Sequence, residues 1–195
     1  MSALASELGA LNLSQGFPDF DGPKSLLQAV NEHMRSGQNQ YPPMAGVAAL
    51  REAIAEKVLD LYGLACDADT EITVTAGATE ALFCAIAAVV HAGDEVIVLD
   101  PAYDSYDPVI RLQGAVPVHV PLLAPTYRID WDRIEAAITA NTRLLILNSP
   151  HNPTGMVMDE SDIAALSALC AKYDIYLIGD EVYEHMVFDR ARHLS

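Results

Sequence analysis

The stretch Tyr176-Leu-Ile-Gly-Asp-Glu-Val-Tyr183 decides how the chain is read. Tyr176 to Gly179 reads as a short buried strand, Asp180 and Glu181 follow at once, and Tyr183 comes after them. In sheets made from strand–helix units, ligands bind beyond the carboxyl ends of the strands. A carboxylate placed there is partly desolvated, which costs free energy unless a cation or a hydrogen-bond donor meets it. By itself the stretch also fits an ordinary strand end, with Asp180 capping the next segment. Three earlier strands end in the same manner, and that repetition favours a site.

Working outward, the preceding helix opens at Asp159, with acids in its first turn and Ile163, Leu166, Cys170 and Tyr173 inward. Before it, Arg143 to Leu147 is a strand that runs into Asn148-Ser-Pro-His-Asn-Pro-Thr-Gly155. Asp130 caps a helix with Ile134 and Ile138 on its inner face. Val116 to Val120 and Glu95 to Leu99 are strands, and Glu71 to Thr75 is a further candidate. Asp100-Pro-Ala-Tyr103 follows one strand, with Tyr103 opening the next helix; Gly77-Ala-Thr-Glu80 follows another and leads into a buried helix to Val90. Val47 to Tyr62 is amphipathic, with Val47, Leu50, Ile54, Val58 and Leu61 as the stripe, Arg51 and Lys57 facing out, and Gly63 as C-cap. Pro23 to Arg35 is a helix, Met1 to Gly9 the tail of one, and Leu13 to Asp21 a loop. Strands alternating with helices predict an α/β fold: three layers, α/β/α, around a mostly parallel sheet. Residues 1–45 read as an N-terminal segment and 46–195 as the sheet-bearing domain.

Composition narrows the partners. With 51% hydrophobic and 19% charged residues, the 195-residue chain has the make-up of a globular domain. A net charge of −16 argues against nucleic acid or an anionic membrane, so an anionic ligand needs local dipoles to hold it. Cys66, Cys84 and Cys170 show no CxxC or metal spacing, which predicts a reducing, cytoplasmic setting and no metal. Cys84 and Cys170 are expected in the core. No charged-then-apolar leader opens the sequence, and the longest apolar run, Ala81 to Val90, is too short to span a bilayer.

The strand ends carry the chemistry. Gly77, Ala78 and Thr79 put free backbone N–H groups and a hydroxyl at a helix N-terminus, which suits a phosphate, although an ordinary Gly-containing turn looks the same. Tyr103 offers a flat ring, and the prolines and glycine around Asn152 make a rigid polar loop. His151 reads as a solvated loop histidine. Thr79, Tyr103, Asn152 and Asp180 are expected to line one cavity. A phosphate on a helix end, a planar ring under an aromatic, an acid (Asp180) at a ring nitrogen, and an amide and a phenol (Asn152, Tyr183) at a ring oxygen together describe pyridoxal 5'-phosphate. Its protonated pyridine acts as an electron sink and needs an acidic partner.

The chain resembles the first half of a fold type I, class I/II aminotransferase, and within that family is similar to the methionine/kynurenine type. The matching pieces are Ser14-Gln-Gly-Phe-Pro-Asp-Phe20, Tyr41-Pro-Pro-Met-Ala-Gly46, Thr75-Ala-Gly-Ala-Thr-Glu80, Asp100-Pro-Ala-Tyr-Asp-Ser-Tyr106, Asn148-Ser-Pro-His-Asn-Pro-Thr-Gly155 and Gly179-Asp-Glu-Val-Tyr-Glu-His185. The resemblance implies amino transfer between an amino acid (methionine, kynurenine or aromatic type) and a 2-oxo acid, in a homodimer. It implies that Gly77, Ala78 and Thr79 hold the cofactor phosphate, that Tyr103 stacks on the ring, and that Asp180 and Tyr183 act on it. Asn152 would bind the ring oxygen and, with Gly16, the substrate carboxylate; Tyr41 would reach the neighbouring subunit's phosphate. It also implies that 46–195 is a partial cofactor-binding large domain, with the small C-terminal domain absent. The family's Schiff-base lysine falls after Ser195, and none of Lys24, Lys57 and Lys172 stands at a strand end. The chain alone is therefore expected to be inactive. Two alternatives stay open: a carbon–sulfur β-lyase on the same fold, and an inactive truncated remnant.

Overall fold

The computed structural model describes residues 1–13, 16, 18–189 and 191–195; Ser14, Gln15 and Phe17 of the Leu13–Asp21 loop lie outside that set. The chain divides into two compact units, Met1–Pro43 and Met44–Ser195. The first holds helices α1 (Ser2–Glu7) and α2 (Lys24–Arg35), with Pro23 as N-cap of α2, where its missing N–H costs nothing.

The second unit holds α3 (Ala48–Tyr62), α4 (Ala78–Val89), β1 (Glu95–Asp100), α5 (Tyr106–Leu112), β2 (Val116–Pro121), α6 (Trp131–Ala137), β3 (Thr142–Asn148), α7 (Glu160–Tyr173) and β4 (Tyr176–Asp180). The four strands are all parallel, in the order β2-β1-β3-β4. Alternation along β1 and β3 sorts the core into two layers. Ile97, Leu99, Leu145 and Leu147 pack with Ile134 of α6 and with Leu166 and Leu169 of α7. Val96, Val98, Leu144 and Ile146 pack on the other face with Leu82 and Ile86 of α4 and Tyr106 and Ile110 of α5. Burial on both faces is why these two strands read as unbroken apolar runs. The expected three-layer α/β/α architecture is what forms.

Several expectations change. Tyr176 to Gly179 is not a buried strand: β4 is a sheet edge, and Tyr176 and Leu177 are 49% and 43% exposed. Glu71 to Thr75 joins no sheet among the described residues, because a strand needs a ladder partner and Val74 N–H finds only the Ala45 carbonyl. α4 is buried only along Leu82 and Ile86, which leaves Cys84 exposed and not in the core. Tyr173 ends α7 at the surface, where its hydroxyl donates to Glu135 at 2.7 Å. Arg51 does not face out. It is buried, donating to the Gly46 carbonyl at 3.3 Å, to the Ala68 carbonyl and to Asp69 at 3.0 Å. Those acceptors arrive because Gly46, at φ +100, lets the chain double back against Val74; a Cβ there would lie 2.7 Å from the Val74 side chain.

Candidate functional site

The chain order reverses between β1 and β3: after β1 it moves outward to β2, then returns to lay β3 on β1's other side. Such a switch point leaves a crevice at the carboxyl ends of the strands. A cavity of about 250 Å³ lies there, lined by Ala78, Thr79, Leu82, Tyr103, Asn148, Asn152, Asp180, Val182 and Tyr183. Of the expected residues, Ala78, Thr79, Tyr103, Asn152, Asp180 and Tyr183 meet in this one cavity. Gly77 stands beside it as N-cap of α4, whereas Gly16 and Tyr41 belong to the first unit.

Each wall follows from local structure. Gly77, at φ +90, turns the chain into α4 and offers no side chain to cap it. The first-turn amides and the macrodipole therefore face the cavity end, which favours an anion. The Thr79 hydroxyl lies 3.4 Å from the Tyr103 hydroxyl. Tyr103 precedes α5 by three residues and does not open it, since a turn at Asp104 and Ser105 comes between. Its ring meets that of Tyr106 edge-on, 5.7 Å between centroids and 80° between planes.

The last residues of β3 and β4 are tied together. In register, Asn148 pairs with Asp180. The Asn148 side-chain amide donates to the Asp180 carbonyl at 2.7 Å, while its oxygen accepts the Asn152 N–H at 2.6 Å. One buried amide thus fixes both the acid's backbone and the loop carrying Asn152. His151 is buried and not solvated: it bonds Thr154 Oγ1 at 2.8 Å, and burial holds its pKa down. It braces the loop from behind.

The Asp180 carboxylate has two donors. Tyr106 Oη donates to Oδ2 at 2.6 Å, and the Val182 N–H to Oδ1 at 3.3 Å. Burial first, and then the bond to Asp180, drive the Tyr106 phenol well above its ordinary pKa. Sequence reasoning gave no role to Tyr106 or Asn148. The signal for Asn148 was its place as the last residue of a strand, the same place Asp180 holds. For Tyr106 there was only the helical period from Ile110.

No lysine lines the cavity. Lys57 pairs with Glu184, and Lys172 with Glu135. Among the described residues no group of three or more His, Cys, Asp and Glu could hold a metal, and no helix is long and apolar enough to cross a membrane.

The donor set fits the pyridoxal phosphate expected from the sequence: anion-seeking amides, a flat ring, and a carboxylate held ready at the far wall. Comparison with known proteins identifies the family. The family profile described as aminotransferase class I and II matches residues 9–194. The methionine aminotransferase of Escherichia coli is 54% identical over the whole of this chain, which covers 50% of that protein. The kynurenine–oxoglutarate transaminase 3 of Homo sapiens is 37% identical, with 98% of this chain covering 45% of it. A solved Escherichia coli methionine aminotransferase superposes with a TM-score of 0.95 over all of this chain and 51% of its own. An N-succinyldiaminopimelate aminotransferase from Mycobacterium tuberculosis gives 0.96 at 48% identity, again over all of this chain and 51% of its own. The chain spans about half the length of the curated relatives it matches.

Proposed function

The chain belongs to the class I and II aminotransferases, and from that premise we propose that it carries the cofactor platform of a pyridoxal-phosphate-dependent aminotransferase. The whole enzyme moves an amino group between an amino acid of methionine, kynurenine or aromatic type and a 2-oxo acid. The relatives reported above are transaminases by name, which favours transfer over carbon–sulfur β-elimination.

The residues divide the work. The first-turn amides of α4, with Ala78 and the Thr79 hydroxyl, hold the phosphate against the helix dipole. Tyr103 lies against the ring. Asn152 and Tyr183 donate toward the ring oxygen. Asp180 would hold the proton on the ring nitrogen through a charge-assisted hydrogen bond. When bound, the cofactor supplies an electron sink for the carbanion that amino transfer must stabilise. Gly16 and Asn152 bind the substrate carboxylate, and Tyr41 serves the phosphate of a second copy in a homodimer. Residues 46–195 form the cofactor-binding portion.

The observation that carries this reading is the single cavity in which the α4 N-terminus, Tyr103 and Asp180 converge. The amine that must attack the cofactor is not among its walls, so the 195-residue chain alone is proposed to bind pyridoxal phosphate without turnover. The test is a fluorescence and absorbance titration of the purified chain, and of Asp180→Asn, with pyridoxal phosphate. Saturable binding that weakens at least tenfold in the variant, with no keto acid formed from methionine or kynurenine, is expected on the strength of a charged hydrogen bond. Equal binding by both, or none by either, overturns the platform. Turnover with a borohydride-trappable imine on Lys24, Lys57 or Lys172 overturns the assignment of the amine.

A further inference from the structure

The geometry points to Tyr106 as the positioning residue that aims the Asp180 carboxylate at the ring nitrogen of pyridoxal phosphate; the inference rests on the cofactor reading above. Asp180 ends β4, which among the described residues has a neighbouring strand on one side only. Its backbone is secured from that side by Asn148 and by the Ser149 N–H, which reaches the Asp180 carbonyl at 3.1 Å. Neither contact orients the carboxylate. The Val182 N–H at 3.3 Å is a long bond from a residue that is itself exposed. The 2.6 Å bond from Tyr106 is the shorter one, and it comes from a side chain 3% exposed and locked into the α5 layer beside Ile110.

An ionised carboxylate offers only acceptors, so the phenol must be the donor. Burial keeps that phenol protonated across the ordinary pH range. Oδ2 is anchored from inside the protein by the short bond, whereas Oδ1 takes only the long Val182 N–H bond and keeps acceptor capacity for a proton-bearing group from the cavity. The same ring braces Tyr103 edge-on, so one buried side chain sets both the acid and the stacking aromatic. A buried tyrosine that merely satisfied its own hydroxyl would also bond the nearest acceptor. The two roles differ in one respect: an aiming role acts through the ring nitrogen of the ligand, and a packing role does not.

The experiment compares affinities of the 195-residue chain for pyridoxal phosphate and for its 1-deaza analogue, in which the ring nitrogen is replaced by C–H. The wild type is expected to prefer the nitrogen-bearing ligand. In Tyr106→Phe that preference should fall on the order of tenfold, with deaza affinity held within about twofold, as expected for loss of one hydrogen bond to a charged group. An unchanged preference, or equal weakening of both ligands, overturns the aiming role. A wild type that binds both ligands alike fails the cofactor reading instead, so the two failures are distinct. Should Tyr106→Phe not fold, 3-fluorotyrosine at position 106 keeps the shape and strengthens the donor. The preference must then move by more than about twofold, and a fixed value overturns the inference.

Discussion

β3 and β4 run side by side in register, from Leu144 against Tyr176 to Asn148 against Asp180, yet they live in different surroundings. Every residue of β3 from Leu144 to Asn148 is buried, whereas no residue of β4 is. Both strands nevertheless deliver a polar group to the same cavity. The difference teaches that the edge strand does not by itself hold the carboxylate it brings to the cavity. Asp180 takes its position from the covered side of the molecule: from Asn148 and Ser149 at the end of β3, and from Tyr106 on α5. Strand β4 contributes the carboxylate and its covered neighbours contribute the precision.

The largest expected effect breaks the comparison at its packing. Leu145→Ala, in the face buried by α6 and α7, should cost about 2–5 kcal/mol, because a fully enclosed cavity cannot collapse. Leu177→Ala, one strand over and half exposed, should cost less than about 1 kcal/mol. Urea unfolding of the two variants checks the contrast, and equal losses would show β4 to be covered in solution. Next comes the tie between the strands. Asn148→Ala removes a buried amide that serves the Asp180 carbonyl and the Asn152 N–H together. Leaving those partners unmet should cost about 1–3 kcal/mol. Pyridoxal phosphate affinity should fall with it, since both the acid and the loop move. Asn152→Ala, which keeps the Asn148 bonds because only its backbone N–H is used, is the control that loses affinity without losing comparable stability.

The same contrast explains what the sequence made legible. Val96 to Leu99 and Leu144 to Leu147 are four-residue apolar runs, and in an alternating chain such runs are central parallel strands. The site was legible for a related reason: turn-forming residues and polar groups crowd the positions just after those runs. Tyr176-Leu-Ile looks equally apolar, because a strand's side chains do not report whether a neighbour lies on its far side. Glu71 to Thr75 misled for the same cause. Arg51 was illegible because two of its three acceptors are backbone carbonyls, which carry no residue-type signature. Tyr106 was hidden in plain view. Its ring is core, four residues before Ile110 on α5, and that its hydroxyl crosses to Asp180, 74 positions later, is a fact of topology alone.

The smallest expected effect sharpens the comparison through pH. Helix α7 links β3 to β4 and packs Leu166 and Leu169 with Leu145 and Leu147 of β3. Its start is fixed by Asp159, whose carboxylate accepts the Ser161 N–H at 2.9 Å and the Asp162 N–H at 3.1 Å, with Asp162 bonding back to the Asp159 N–H. The Ser161 hydroxyl, then the Asp162 amide, then Arg128 hold the Asp159 carboxyl down at about 2, against an ordinary 3.8. A group whose folded pKa is depressed stabilises the fold above its unfolded pKa and loses that contribution as pH falls through the folded value. The cap is therefore in full force above about pH 4 and fades toward pH 2. As it fades, the first turn of α7 should loosen, and β4, which has one strand neighbour among the described residues, should feel this before β1 does. Hydrogen exchange read strand by strand, with rates corrected for intrinsic pH dependence, checks the ordering. Asp159→Asn keeps a capping oxygen without the titration, so its β4 protection should stay flat over the window in which the wild type declines. A parallel decline in variant and wild type would mean that other carboxylates govern the edge. A decline in β1 together with β4 would mean that the two strands unfold as one unit, and the contrast between covered and open strands would be one of exposure but not of stability.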